Sequence, residues 1–280
     1  MVDRSAVGRF RRVVVYFIVI LAAILFLTPL WFGFVNAIRN PISTPVMGIP
    51  IPAYFSNFVD AITRIPFLRY LRSSVIITGV SVVLQVTCCF IYGFAFARLR
   101  APLKDLWFTV IISLMMVPTF ATQIPTYVLF ATLKIMDSYL IWVLNGLAGL
   151  SYYIFLYRQF LQSIPVELDE AARIDGCSII KSMLYIFAPC SLPVISVVFM
   201  FEFIAQWGDA TTPFMFLNEI HWPLAMALSG ARYTLPQNPN MILQPLQLAA
   251  SFLFIVPSFC VYLIGQRNVK QGMITSGLKG

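Results

Sequence analysis

The segment Glu170-Ala171-Ala172-Arg173-Ile174-Asp175-Gly176 stands between two long apolar stretches of the chain. Ile186 follows ten residues after Gly176, and Pro189 follows three residues after Ile186. The segment combines charges of both signs with small and aliphatic side chains, a mixture that suits docking on a protein better than burial in lipid. We therefore interpret residues 161–189 as a loop at a membrane surface that contacts a protein partner.

This loop is predicted to contain two short helices. Pro165 is expected at the first helical position of the first one, because proline lacks an amide hydrogen and that position needs none. Gly176 is expected to end this helix, since glycine readily takes the left-handed conformation of a helix terminus. A second helical turn is expected to begin near Ser178 and to lie with its apolar side along the membrane surface before it meets Pro189.

The composition indicates an integral membrane protein. Of the 280 residues, 60% are hydrophobic and only 11% are charged, which is more apolar surface than one soluble domain can bury. Stretches of about 20 apolar residues span a bilayer as helices, because backbone groups in lipid must be hydrogen-bonded within the segment. We predict an all-α integral membrane fold with six transmembrane helices, near residues 13–36, 73–97, 107–131, 138–158, 188–208 and 245–265.

The basic residues predict the orientation of the chain. Short cytoplasmic loops retain Lys and Arg during insertion, and here these residues cluster before the first span, in alternate connections, and after the sixth span. Both termini and residues 161–189 are therefore predicted to be cytoplasmic. The first outer connection departs from the rule, since it carries Arg39, Arg64, Arg69 and Arg72, but long connections follow the rule poorly.

The residue inventory disfavours several other functions. The net charge of +8 is divided among loops and forms no single face, which argues against nucleic-acid binding. The five cysteines include no C-x-x-C pair and His221 is the single histidine, so we expect neither disulfides nor a metal site. The chain has no Gly-Lys dipeptide, which excludes a phosphate-binding loop of the G-x-x-x-x-G-K-S/T type.

Two prolines interrupt the predicted third span. Pro118 and Pro125 each remove a backbone donor, so the helix is expected to bend or open there. Interrupted helices occur in membranes where they line a cavity or are buried in protein. Gln123 and Tyr127 lie in this region and are candidates for a substrate path, although prolines are also ordinary in spanning helices.

The predicted second span ends with small side chains on one face. Gly93 and Ala97 are four residues apart and so lie on the same side of a helix. Small residues at this spacing allow another helix to approach closely. We interpret this face as a packing surface without chemistry.

The predicted fifth span carries an ionisable residue, Glu202. A carboxyl group in lipid is costly and normally faces a cavity or a partner. Aromatic faces stack on C–H groups of a solute, and amides or carboxylates bind its hydroxyls. Glu202, Gln206, Trp207 and Asp209 are therefore candidates for a substrate path. A salt bridge or polar contact between Glu202 and another subunit, and an interface-anchoring role for Trp207, are the alternatives.

The first segment resembles the EAA signature of bacterial ABC importer permeases, which runs E-A-A, three residues, G, nine residues, I, one residue, L-P. The resemblance assigns ATPase coupling to Glu170, Ala171, Ala172, Asp175, Gly176, Ile186 and Pro189, with Ala188 in place of the leucine. The likeness covers the whole chain and is to carbohydrate permeases of the maltose-permease G-subunit type. Where those proteins commonly carry Trp-Asn at the end of the fifth helix, this chain has Trp207-Gly208-Asp209.

The resemblance implies the type I ABC importer permease fold in a bacterial or archaeal cytoplasmic (inner) membrane. In that family the loop inserts into a cleft of a separate ATPase, and closure of two ATPases moves the loops and reorients the pore. The implied partners are a second permease in a heterodimer, two copies of an ABC ATPase, an extracytoplasmic solute-binding protein, and a sugar or sugar derivative. ATP and magnesium would be bound by the ATPase, and no cofactor by this chain.

The same resemblance suggests three divisions of the chain: a basic cytoplasmic terminus at residues 1–12, a permease domain at 13–268, and a cytoplasmic tail at 269–280. Two other classes remain as alternatives to a permease. A secondary transporter would show inverted repeats and buried ion sites, and apart from Glu202 few such groups are present. A membrane-embedded enzyme would need clustered nucleophiles, histidines or carboxylates near one membrane face.

Overall fold

The computed structural model describes the backbone of residues 4–230, 234–235 and 238–277, and the side chains of residues 12–230 and 243–266. The ends of the two predicted tails, residues 1–3 and 278–280, lie outside these ranges. The chain forms two compact units, Met1–Phe67 with Gly230–Phe254, and Leu68–Ser229 with Ile255–Gly280. Helices α1 (Arg4–Ala37) and α14 (Gln244–Gly277) run without a break across the predicted divisions at residues 12 and 268.

The first unit is held together where α1 ends and α2 (Ser56–Thr63) begins. The connection between them is irregular, as its prolines predict. The buried amide of Asn57 donates from Nδ2 to the carbonyl oxygens of Ala37 at 2.7 Å and Arg39 at 2.8 Å. Arg39 is itself buried and donates to Gln244 Oε1 at 3.2 Å. One of the four arginines in the first outer connection thus has a structural role.

The first unit also contains a short antiparallel pair of strands, β1 (Thr234–Leu235) and β2 (Asn238–Ile242). Thr234 lies opposite Ile242 and Leu235 opposite Asn238, with an irregular register between them. The all-α prediction missed this pair because strands of this length carry too little alternation to be recognised.

The regular elements of the second unit are helices in the part of the chain that the structure describes. Apart from its first residue, α3 (Phe67–Arg98) belongs to it, and so does α14 from Ile255 onward. The other elements are α4 (Lys104–Leu114), α5 (Thr119–Thr132), α6 (Leu140–Ala148), α7 (Ser151–Ser163), α8 (Glu167–Ile174), α9 (Ile179–Ser182), a π-helical turn (Met183–Phe187), α10 (Ala188–Cys190), α11 (Leu192–Trp207), α12 (Thr211–Phe216), a 3-10 turn (Glu219–His221) and, apart from Gly230, α13 (Leu224–Gly230).

Four helical stretches are long and apolar enough to cross a bilayer: Arg12–Ala37, Phe67–Arg98, Leu140–Ser163 and Gln244–Gln266. Two further pairs meet the same criterion only when their members are joined. Lys104–Leu114 and Thr119–Thr132 are bent by 96°, and Ile179–Cys190 and Leu192–Trp207 by 78°. By length and composition, the described residues therefore hold four candidate spans, or up to six if each bent pair is one span.

The first of these bends lies at Pro118, where the sequence predicts an opening. The three residues before Pro118 form tight hydrogen bonds to carbonyls three residues back, and Pro118 is extended, with φ −61° and ψ 133°. Helix α5 then continues through Pro125 without interruption. The predicted opening of the helix thus occurs at Pro118, and no opening occurs at Pro125.

Close packing of α3 on α7 organises the core of the second unit. A Cβ atom placed on Gly93 would clash with Tyr157 Cβ and would lie 3.2 Å from the backbone nitrogen of Arg158. The rings of Phe90 and Tyr157 meet edge to face with centroids 5.5 Å apart, and Phe94 and Phe187 are 5.4 Å apart. The predicted packing role of the small face is confirmed at Gly93.

Replacing Gly93 with alanine is expected to destabilise the protein by about 1–3 kcal/mol, because the added methyl group overpacks the contact between α3 and α7. Gly79 on the same helix is a matched control, since nothing lies within 4 Å of the equivalent Cβ position. Gly79→Ala is expected to be neutral or slightly stabilising, because alanine favours helix. Thermal unfolding of the purified variants measures both; equal midpoints would contradict the packing argument.

Candidate functional site

The loop at residues 161–189 folds as two short helices joined by a turn. Helix α8 ends at Ile174, and Gly176 takes the left-handed conformation with φ 71° that the sequence predicts. Ser178 then begins α9, its Oγ accepting a hydrogen bond from the backbone N–H of Lys181 at 3.4 Å. The π-helical turn and α10 continue from α9 toward Ser191, where α11 begins after the 78° bend.

The predicted start of the first helix at Pro165 is wrong. Proline disfavours the helical conformation in the residue before it, and Ile164 is accordingly extended, with φ −74° and ψ 135°, ending α7. The carbonyl of Val166 accepts from the N–H groups of Asp169 and Glu170 at 2.9 and 3.3 Å. Helix α8 therefore starts at Glu167, two residues later than predicted.

One side of α8 packs against the rest of the second unit, and the other side is exposed. Ala172 is 3% exposed and Asp169 is half-buried, whereas Ile174 is 85% exposed. The remaining residues predicted to couple to an ATPase divide in the same way: Glu170, Ala171, Asp175, Gly176 and Pro189 are exposed, and Ile186 packs partly buried beside the core. The exposed side of the loop thus combines acidic and aliphatic side chains.

Arg98, the last residue of α3, holds this loop in place. Its Nη1 donates to Asp169 Oδ2 at 2.7 Å, and its Nη2 donates to the carbonyl oxygens of Leu161 and Ile164 at the end of α7. Its guanidinium carbon lies 4.8 Å from the centre of the Phe187 ring in the π-helical turn. A single side chain therefore joins α3, α7, α8 and the segment that leads into α11.

The contacts of Arg98 contribute strongly to holding residues 161–189 in position. The Arg98 and Asp169 side chains are 7% and 19% exposed, so the ion pair is screened little by water. The last carbonyls of α7 have no helical partner, and a cation is favourable there. Removing one member of such a pair leaves the other charge in a poorly hydrated site, at a cost on the order of 3 kcal/mol.

Sequence reasoning assigned Arg98 only to membrane orientation. Its partners are 63–71 residues away along the chain, so no local pattern indicates the contact. A second pair, Arg158 with Asp105 at 3.3 Å, joins α7 to α4. Asp105 is 84% exposed, and no hydrogen bond links either of its members to α8 in the described part of the chain.

The candidate substrate residues of α11 lie mostly inside the second unit. Glu202 is 3% exposed and interacts with the side chains of Tyr153 and Gln206. Glu202 Oε1 and Gln206 Oε1 have no hydrogen-bond partner among the described residues. The structure thus brings Glu202 and Gln206 together against α7, as a buried polar cluster within the subunit.

The other candidates have different surroundings. Trp207 is buried and stacks on Phe203, with centroids 5.5 Å apart and planes 10° apart. Asp209 Oδ1 accepts from the N–H groups of Thr211 and Thr212 at 2.8 and 3.1 Å, at the start of α12.

Gln123 and Tyr127 lie on α5, where Gln123 is half-buried and Tyr127 is exposed. The ring centroid of Tyr127 is 6.0 Å from that of Phe216. The predicted path residues therefore belong to two groups, one on α11 and at the start of α12, and one on α5.

Gln85 is a polar residue of α3 whose role the sequence did not indicate. Its Oε1 accepts from the Leu150 N–H at 2.9 Å, and its Nε2 donates to the Asn145 carbonyl at 3.3 Å. It thereby satisfies backbone groups at the break between α6 and α7, where Gly149 has φ 75°. The sequence signal that could have indicated this role is a glutamine within an otherwise apolar predicted span.

Comparison with known protein families gives a match over residues 89–272, to the family described as binding-protein-dependent transport system inner membrane component. The chain is 32% identical over 241 residues to a protein of Caldicellulosiruptor sp. (strain Rt8B.4) assigned as ABC transporter permease protein ORF2, covering 83% of each chain. It is 29% identical over 265 residues to the sn-glycerol-3-phosphate transport system permease protein UgpE of Salmonella choleraesuis (strain SC-B67), covering 91% of this chain and 92% of the relative.

A solved structure has a similar fold. It is a bacterial ABC transporter involved in the import of the acidic polysaccharide alginate, and one of its chains superimposes with a TM-score of 0.81. The match covers 95% of this chain and 98% of the other, at 18% sequence identity.

Gly176→Ala is expected to destabilise the loop by about 1–2 kcal/mol, because the left-handed conformation is strained for residues with a Cβ atom. Nothing lies within 4 Å of that Cβ position, so backbone conformation is the cause. Gly176→Asn is the control, since asparagine tolerates this conformation better. Hydrogen exchange of residues 161–189 reports local stability; equal effects of alanine and asparagine would refute this explanation.

Proposed function

The chain belongs to the family of binding-protein-dependent transport system inner membrane components, and we propose that it is the permease subunit of an ATP-driven importer that couples ATPase motion through residues 161–189 to alternating access. The observation that carries this proposal is the attachment of α8 to α3 and α7 through Arg98. A loop with one face open and the other fixed to the bundle is suited to receive a push from a second protein.

The proposed mechanism starts at the open face of α8. A partner ATPase docks on Glu170, Ala171 and the exposed Ile174 side chain, which combine charge with apolar contact area. When the ATPases close, α8 moves with Arg98, and the movement passes to the carbonyl end of α7 and to Phe187. Helix α11 follows Phe187 across the 78° bend, so its orientation responds to the loop.

The proposed assembly has the parts that the family description implies. A second permease forms a heterodimer with this chain, two copies of an ATPase bind ATP and magnesium, and a solute-binding protein delivers the solute from outside. The chain itself binds no cofactor in this proposal. Residues 161–189 and both termini face the cytoplasm of a bacterial or archaeal cell, with the chain crossing the cytoplasmic membrane several times.

We propose a sugar or sugar derivative as the solute. The support is the 29% identity to a permease of a sn-glycerol-3-phosphate transport system over 91% of this chain. Within the subunit, Glu202 with Gln206 on α11 and Gln123 with Tyr127 on α5 are the two groups to test for solute contact. Trp207 and Asp209 would act on the solute path indirectly, through the Phe203 stack and the start of α12.

Asp169→Asn is expected to lower ATP-driven uptake at least about tenfold while ATP hydrolysis continues, because Arg98 loses the charge that holds α8. Asp105→Asn is the matched control: it removes the aspartate of the other pair, whose exposed position makes it worth about 0–1 kcal/mol, and should leave uptake within about twofold. Uptake and hydrolysis are measured together in proteoliposomes with the partner subunits. Equal uptake by the two variants would argue against the proposed attachment.

Glu170→Arg is expected to abolish uptake while the chain still inserts in the membrane, because the reversed charge lies on the exposed docking face. Glu167→Gln, an exposed change at the start of the same helix, should leave uptake near the wild-type level. Uptake in the absence of any ATPase would contradict the proposed function.

A further inference from the structure

Helix α3 begins with two arginines that membrane orientation does not explain. Arg72 and Arg98 lie on this one helix, about 39 Å apart at 1.5 Å per residue. This distance exceeds the bilayer hydrocarbon thickness of about 30 Å. Arg69 and Arg72 therefore lie at the membrane surface opposite to residues 161–189. If that loop is cytoplasmic, as the proposed function requires, the two arginines face the outside.

The two side chains line a cavity of about 290 Å³, here named the α3 cavity. Its other lining residues come from the same face of α3, from the start of α6 and from the 3-10 turn: Ser73, Ile76, Tyr139, Ile220 and His221. All of them belong to the second unit. The cavity thus combines two permanent positive charges, hydroxyl groups, an imidazole and aliphatic side chains.

The surroundings of the two guanidinium groups leave their charges without a carboxylate partner among the described residues. Within the described residues, no Asp or Glu oxygen lies within 4.0 Å of Arg69 or Arg72. Arg69 donates from Nη2 to the Tyr70 hydroxyl at 3.2 Å and lies 5.0 Å from the centre of that ring. Residues three apart on a helix are neighbours, so the two like charges repel each other. An anion between them would remove this repulsion.

The acidic residues near the cavity are already engaged. Asp137 Oδ1 accepts from the backbone N–H of Asn218 at 2.8 Å and lies 2.9 Å from His221 Nδ1. Burial by itself would raise the pKa of Asp137, but the hydrogen bonds from Asn218 and His221 outweigh it and lower the pKa. Asp137 is therefore an anion that accepts a hydrogen bond from His221 Nδ1. Glu219 accepts from the Tyr70 hydroxyl at 3.4 Å.

The remaining polar groups leave donors for a ligand. Ser73 Oγ and Tyr139 OH are 2.9 Å apart, and since one hydroxyl donates to the other, one hydroxyl hydrogen of the pair is still unused.

We propose that the α3 cavity binds the oxyanion of a phosphate ester. Guanidinium groups match phosphate oxygens in paired hydrogen bonds, and a phosphate has enough oxygens to accept from both arginines and from a hydroxyl at once. Ile76 and Ile220 supply apolar surface for the carbon part of the ester. The same chemistry is offered by a phospholipid headgroup and by a soluble glycerol phosphate, and the two sources are separated by experiment.

The test uses the full-length chain, purified in a maltoside detergent and stripped of lipid, with two pairs of probes. Phosphatidylglycerol is compared with diacylglycerol, and sn-glycerol 3-phosphate with glycerol, by native mass spectrometry and thermal stabilisation. The wild type is expected to prefer one phosphate-bearing probe over its phosphate-free counterpart by at least about tenfold. Arg69→Gln/Arg72→Gln is expected to abolish this preference. Arg64→Gln, an exposed arginine outside the cavity lining, should keep it.

Binding of phosphatidylglycerol alone would identify the lipid source, and binding of glycerol phosphate would identify the soluble source. Equal binding by the wild type and the double variant, or no preference for phosphate, would overturn the proposal. It would also be overturned if the double variant lost only affinity for a solute-binding protein. Because binding is measured without an ATPase, a failure of ATP-driven uptake counts against the proposed function and is distinguishable from a failure here.

Discussion

The ion pair between Arg98 and Asp169 is the contact on which the arrangement of residues 161–189 depends. Helix α8 has eight residues, too few for a stable helix by itself in water, and it buries little more than Ala172 against its surroundings. Charge-assisted hydrogen bonds in a poorly hydrated site supply what apolar burial does not. The same guanidinium donates to the last carbonyl groups of α7, so Arg98 attaches the loop to the helix bundle.

Arg98 reaches the end of α7 because α3 and α7 pack closely against each other near this end of α3. Gly93 brings the two backbones into contact five residues before Arg98, which places the guanidinium next to the last carbonyls of α7. Gln85 joins the ends of α6 and α7 to the same helix two turns earlier. Helix α3 thus contacts α6, α7 and α8, and the α3 cavity lies at the start of the same helix.

Several features followed from local chemistry and were predictable. The left-handed turn at Gly176, the opening at Pro118 and the close approach at Gly93 each depend on one residue type in a fixed position. The start of α8 was misplaced by two residues because the Ile164 carbonyl, which would accept the first hydrogen bond of a helix starting at Pro165, accepts from Arg98 instead, and the first bonds of α8 go to the Val166 carbonyl. The role of Asp209 at the start of α12 was also missed, since an aspartate before two threonines gives a helix-start signal as readily as a binding signal.

By itself, the sequence determined that the chain is a helical membrane protein, where its apolar segments lie, and that a short charged segment with two expected helices stands between two of them, because these depend on composition and spacing along the chain. Only the tertiary structure decided that Arg98 holds that loop, that Glu202 pairs with Tyr153 and Gln206 inside the subunit, and that Arg69 and Arg72 share a cavity. The physical reason is that Asp169 lies 71 positions from Arg98, and that Tyr153 and the Ile220–His221 wall of the cavity are also distant in sequence from their partners. The energies of these contacts arise from burial and geometry that no local pattern records.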